Sequence, residues 1–206
     1  MNPSRPLPRV HAICDAGVLA LDDLGVRAAA LAAGGSAVGL HARDRTASTK
    51  ALTALAERFI ALARPPEAAV FVNGRPDVAA AVRAHGVQLS AGDLAPRDAR
   101  QVLPHGWIGR SVHSMEEASA ALAEGADFLV VGSVYPTPSH PGLASGVPLV
   151  EACVKFGLPV IAIGGVTAAR IPELVEGGAY GVAAVRALWH AADPAKAVTE
   201  FLDHWS

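Results

Sequence analysis

Charge of either sign is scarce in this sequence. Only 17% of its 206 residues are Asp, Glu, Lys or Arg, and seventeen basic residues stand against nineteen acidic ones for a formal charge of -2. No basic excess exists to build the electrostatic footprint of a nucleic-acid binder, so nucleic acid is not an expected partner. Cysteine is nearly absent: Cys14 and Cys153 are the only two. That excludes a disulfide-dense scaffold and a four-cysteine zinc site, and suits a reducing compartment. No apolar run reaches the roughly 18 to 20 uncharged residues that span a bilayer. Met1 to Val10 carries two arginines and three prolines with no signal-type apolar stretch behind it, so a cytoplasmic protein with no membrane partner is expected. The eight histidines show no HExxH-type spacing, which argues against a catalytic zinc. What is abundant is apolar surface, at 51% of residues, enough for one large core in a single domain over residues 1–206.

The period of the apolar pattern changes repeatedly along the chain. Short runs rich in Val and Ile recur near residues 10–14, 37–42, 69–72, 86–89, 107–111, 128–131, 159–163 and 181–185. Each gives way to turn residues and then to an Ala/Leu stretch of helical spacing. In the stretch Ser114 to Glu124, Ser114 followed by Glu117 is a capping box. Continuously apolar strands alternating with helices fit a parallel sheet covered on both faces, and eight such units predict a closed (β/α)8 TIM barrel; an open, doubly wound sheet is the alternative. In a barrel, functional residues sit in the loops after the strands.

Those loops hold the candidate chemistry. Ile163-Gly164-Gly165 runs from a strand into a helix start, and Arg186 follows the eighth strand; glycines and free helix N–H groups suit a phosphate, while two ordinary tight turns are the plainer reading. His41-Ala42-Arg43-Asp44-Arg45 would send His41, Arg43 and Arg45 to one side if the strand continued, for a phosphate or carboxylate, or else is a solvated turn. Asn73, before Gly74, is a polar substrate contact or an Asn-Gly turn. Asp93 is a metal or polar ligand, or a cap near Pro96. Ser111 and His113 end the fifth strand with no triad order around them. Thr137, Ser139 and His140 lie on the proline-rich segment Ser133 to Gly146, either a lid over an anion or a rigid crossover.

Taken together these motifs resemble the family of thiamine phosphate synthase and the TenI proteins, which include thiazole tautomerases. The pieces that carry the resemblance are Val72-Asn73-Gly74-Arg75 with Asp77, Val87-Gln88-Leu89, the run Ile108 to Ser114, Tyr135-Pro136-Thr137 and Ile161 to Gly165, and it extends from about His11 to the C-terminus. It implies a (β/α)8 barrel of thiamine biosynthesis whose small-molecule ligand, a thiazole phosphate, sits on the glycine-rich site. Arg43-Asp44-Arg45 resembles the synthases' basic pair for pyrophosphate. Their Asn-Asp pair, whose acid serves Mg2+, reads Asn73-Gly74 here, and Asp93 matches the second acid. The lysine of their sixth loop is matched by His140, and the histidine of the characterised tautomerase by Ser133.

The reading taken from this is a TenI-like isomerase that needs no cofactor, with His41 or His140 moving the proton. The alternatives are a synthase, a transferase using Mg2+ at Asp93, and a non-catalytic binder of thiazole or thiamine phosphate. A homo-oligomer is a further expectation, with Trp189, Phe201 and Trp205 either at an interface or covering the barrel's own base.

Overall fold

The Val/Ile runs form eight strands in the computed structural model: β1 (Val10–Ile13), β2 (Val38–Ala42), β3 (Ala69–Asn73), β4 (Gly86–Leu89), β5 (Trp107–Val112), β6 (Phe128–Val131), β7 (Val160–Ile163) and β8 (Gly181–Ala184). The structure describes residues 5–63, 67–137, 142 and 144–205. All strands are parallel, each pairs with its neighbour in sequence, and β8 returns to β1 through Val10↔Val182, His11↔Ala183 and Ala12↔Ala184. That last pairing closes the barrel and excludes the open sheet.

The helices follow where the period changes. They are α1 (Ala16–Leu19), α2 (Leu24–Ala32), α3 (Thr49–Ala63), α4 (Pro76–Ala81), α5 (Pro96–Val102), α6 (Met115–Ala123), α7 (Gly146–Val154), α8 (Ile171–Glu176), α9 (Arg186–Trp189) and α10 (Pro194–Leu202). One short helix, α1, lies beyond the sequence expectation; the Asp15 carboxylate caps it by accepting from Val18 N at 2.9 Å. Helix α6 starts at the predicted cap: Ser114 Oγ accepts from Glu117 N, while Glu117 reaches one residue past the cap and accepts from the N–H of His113 at 2.7 Å.

Alternation along each strand divides the core in two. Val10, Leu40, Val72, Leu89, Ile108, Leu129 and Ala162 face outward and pack under the helices, each large one contributing about 1.5–3 kcal/mol of burial. Ile13, Phe71, Phe128, Val130, Ile161 and Ala183 point inward. Trp189 and Phe201 are buried in the outer core, and Trp189 stacks on Phe59 of α3 at 5.8 Å. These two aromatics cover the protein's own helices, so neither offers a surface to another copy.

The barrel's N-terminal end is stopped by the segment before β1. Leu7 is buried in the inner cluster, its carbonyl accepts from Tyr180 Oη at 2.7 Å, and Arg9 lies over the Tyr180 ring at 3.9 Å. Trp107 Nε1 donates to the carbonyl of Arg5 at 3.0 Å. The opposite end, ringed by the loops after the strands, is the barrel's mouth.

Candidate active site at the barrel mouth

Two histidines meet inside the barrel because both occupy inward positions on adjacent strands. The register His11↔Gly39 and Ile13↔His41 sets His41 one inward step above His11, and Gly39, without a side chain, leaves the space between. His11 Nδ1 lies 2.8 Å from His41 Nε2, His11 Nε2 lies 3.0 Å from the Pro8 carbonyl, and His41 Nδ1 lies 3.0 Å from Asn73 Oδ1. Both rings are fully buried, and His41 stacks on Phe71 at 4.9 Å. Burial pushes the His11 imidazole down to about 4, and burial, with the His11 ring and Arg43 beside it, holds His41 well below the usual range. Both are neutral near pH 7.

Asn73 and Gln88 are register partners on β3 and β4, so their amides share the floor of the mouth. Gln88 Nε2 donates to Ser111 Oγ at 3.0 Å and to the Leu89 carbonyl at 3.3 Å, whereas its Oε1 is buried with no partner. Buried carbonyl oxygens are rarely left unpaired. A Cβ on Gly109 would stand 2.1 Å from it, so this oxygen lies over the glycine of β5, inside the barrel.

The rim is more varied. Strand β2 ends at Ala42, and Asp44 Oδ1 accepts from Thr46 N, Thr46 Oγ1 and Ala47 N, which turns the chain there. The alternation therefore stops before Arg45: His41 is inside, Arg43 is half-buried with Nη1 on the Cys14 carbonyl at 3.2 Å, and Arg45 is exposed. Asp93 Oδ2 is held by Ser90 N and Ser90 Oγ at 2.6 and 2.7 Å, while a Cβ on Gly74 would stand 2.9 Å from Oδ1. Arg110 steadies that loop by donating to the carbonyls of Ser90 and Leu94. Asp77 is bound by Arg75 in a two-pronged ion pair at 2.8 and 2.6 Å, away from the floor residues.

Gly164 and Gly165 both have positive φ, at 100° and 65°. A Cβ on Gly164 would stand 2.1 Å from Ser133 Oγ, so the glycine is required by the neighbouring loop. Ser133 Oγ itself donates to the Tyr135 carbonyl at 3.0 Å, a brace within its own loop. Arg170 ties the loops after β6 and β7 together, lying over the Tyr135 ring at 4.3 Å and donating to the Gly165 carbonyl at 2.6 Å. Arg186 is exposed at the start of α9, and Thr137 is partly exposed after β6. His113 is exposed just ahead of α6, and its Nδ1 lies 3.2 Å from Glu117 of that helix, which turns it off the floor. Ser139 and His140 lie outside the described residues.

Residues 10–188 match the family model described as Thiamine monophosphate synthase. The chain belongs to that family. It is 42% identical over 205 residues to the thiamine-phosphate synthase of Salinispora arenicola, covering 96% of this chain and 97% of the relative. It is 43% identical over 171 residues, 82% of each chain, to that of Thermus thermophilus. Among solved structures, a thiamine phosphate pyrophosphorylase from Pyrococcus furiosus superposes with a TM-score of 0.82 at 33% identity, covering 95% of this chain and 94% of its own. The synthase family is thus established, and these relatives favour the transferase over the isomerase expected from the TenI-like motifs.

Sequence reasoning passed over three residues that the structure places at or beneath the barrel mouth. His11 reads as an isolated histidine in an apolar strand, Gln88 as part of a motif without a role, and Arg110 as part of a longer one. Each had a signal: a polar residue at an inward position of an otherwise apolar strand, or a cation beside a turn rich in carbonyls.

Proposed function

We propose that the chain is a thiamine-phosphate synthase, a transferase joining hydroxymethylpyrimidine pyrophosphate to thiazole phosphate. The bond between the pyrimidine's methylene carbon and the pyrophosphate oxygen breaks, and its electron pair leaves with inorganic pyrophosphate. The lone pair of the thiazole nitrogen closes the new C–N bond. No proton changes hands at the reacting atoms, so the site needs no acid or base there.

The observation that carries this reading is the state of His41. Both its ring nitrogens are engaged inside the barrel and its ring is completely buried, which leaves it no proton to exchange with a thiazole at the mouth. Its neutrality suits a floor that binds. Asn73, Gln88 and Ser111 supply that floor's polar edge for the pyrimidine, Arg43 and Arg45 hold pyrophosphate charge, and Gly164, Gly165 and Arg186 take the thiazole phosphate. Thr137, Ser139 and His140 are assigned to the loop closing over it.

Among the described residues no group of three or more His, Cys, Asp and Glu could hold a metal ion. Asp93, with Oδ2 fixed by Ser90 and Oδ1 facing Gly74, fits instead a Mg2+ delivered with the pyrophosphate, since that ion takes one or two carboxylates and completes its shell with phosphates and water. When bound, it neutralises charge on the leaving group.

Mass spectrometry of purified protein supplied with both substrates tests this. Thiamine phosphate should form with Mg2+ and not with EDTA. Product-free incubations, with aromatisation of a non-aromatic thiazole carboxylate phosphate in EDTA, would overturn the transferase reading.

A further inference from the structure

Asn73 belongs to the ligand floor, but a floor alone does not explain why a second buried histidine stands behind it. We propose that His11 is a positioning residue: a one-way ladder of hydrogen bonds from the Pro8 carbonyl through His11 and His41 fixes the Asn73 amide with Nδ2 against His41 and Oδ1 toward the mouth.

The direction follows from the first rung. A carbonyl only accepts, so the His11 Nε2 that lies 3.0 Å from the Pro8 oxygen carries a proton. A neutral ring then has a lone pair on Nδ1, and the nitrogen facing it at 2.8 Å, His41 Nε2, has to donate. That leaves the lone pair of His41 on Nδ1, 3.0 Å from Asn73 Oδ1, which would set two acceptors face to face. Turning the amide by 180° puts Nδ2–H there and satisfies every contact. The opposite polarity fails at the other end, because it would give His11 Nε2 a lone pair against the Pro8 oxygen.

An extra proton could also relieve the conflict, but the surroundings oppose it. The His11 ring is packed against Phe71 and Phe128, with centroids 5.4 and 5.9 Å away, and the charged side chain nearest His41 is Arg43, of the same sign. No carboxylate faces either ring among the described contacts. The low proton affinity of both imidazoles agrees with this.

A terminal amide otherwise has two orientations of similar energy, one offering a donor to the ligand and one an acceptor. The ladder removes the choice. Asn73 Oδ1 then meets an N–H or O–H donor of the bound ring and rejects a ring that presents an acceptor at that place. That the ring is the pyrimidine rests on the transferase reading; the ladder itself does not.

The test reads tautomers directly. In protein labelled with 15N at histidine, long-range proton–nitrogen spectra near pH 7.5 should show His11 and His41 as neutral rings, each with its proton on Nε2. In His11→Phe, His41 Nε2 has lost its acceptor, so His41 should switch to the Nδ1–H form and donate to Asn73 Oδ1. KM for the pyrimidine pyrophosphate should then rise roughly tenfold with kcat little changed. A proton on His41 Nδ1 in the unaltered protein, or a cationic ring there, would overturn the ladder even if His11→Phe does not fold. An unchanged His41 tautomer or an unchanged KM in a folded His11→Phe protein would overturn the positioning role. Absence of turnover in the unaltered protein would count against the transferase reading alone, since the tautomers are read without substrate.

Discussion

Gly74 stands so close to Asp93 that a Cβ on the glycine would lie 2.9 Å from Asp93 Oδ1. A second carboxylate at position 74 would therefore share one ion with Asp93. Gly74→Asp should lower the Mg2+ concentration giving half-maximal turnover several-fold. With φ at +73° the new side chain is strained by about 1 kcal/mol, and its Cβ obliges the Asp93 carboxylate to shift, so the melting temperature should fall by a few degrees. An unchanged Mg2+ titration in the folded variant would show that Asp93 does not face the ion.

The buried imidazoles set an acid limit. His11 is pushed from 6.5 down to about 4, and His41 is lowered as well. The unfolded chain binds more protons than the folded one in that interval, so stability is full above pH 6.5 and is lost as pH falls toward 4. The slope there should reach about 1.4 kcal/mol per pH unit for each histidine, beyond any carboxylate effect. Urea titrations from about pH 7.5 to about pH 4.5 measure it, and His11→Phe should flatten the curve.

Gln88 separates stability from binding. Its buried Oε1 has no partner in the free barrel, a cost of about 1–3 kcal/mol. Gln88→Met, of similar volume, should therefore leave stability unchanged or slightly raised while KM for the pyrimidine pyrophosphate rises at least tenfold. Calorimetry and steady-state kinetics on one preparation give both values; a loss of stability with normal KM would assign Gln88 to structure alone.

Gly164→Ala should be among the most damaging single-methyl changes. The new Cβ would lie 2.1 Å from Ser133 Oγ and 2.7 Å from Ser133 Cα, at φ +100°. Backbone has to move in two loops, and a loss of about 2 kcal/mol or more is expected in thermal unfolding. Adding Ser133→Gly should restore only part of it, because the strained φ remains.

The barrel was legible because its strands are buried on both sides and so read as unbroken Val/Ile runs; β4, α5 and β6 fall on the predicted boundaries. The site was legible one loop at a time. Asn73, Ser111 and Asp93 sit at strand ends or just beyond, where the barrel rule looks for them. His41 was also found, yet its reading as a proton carrier needed a fact the sequence does not contain: a second ring 30 positions earlier takes one of its nitrogens. Gly164 was read as making room for an anion, while the atoms that crowd it belong to Ser133, a residue on another strand's loop. In both cases local pattern gives the residue and only register gives its neighbour. The one-sided placement of His41, Arg43 and Arg45 stops short of Arg45 for a local reason, since the Asp44 turn ends the alternation early.

The stopper at the N-terminal end is joined to the ligand floor by the same rungs. Pro8 belongs to the segment that holds Leu7 in the barrel and meets Tyr180, and its carbonyl is the fixed point from which the orientation of Asn73 follows. Residues just before the first strand, which look expendable in an alignment of strands, therefore help define what the opposite end of the molecule accepts. Purification handles and fusions belong at the C-terminus, because shortening the chain into Pro8 would remove the buried Leu7 and the fixed end of the ladder together.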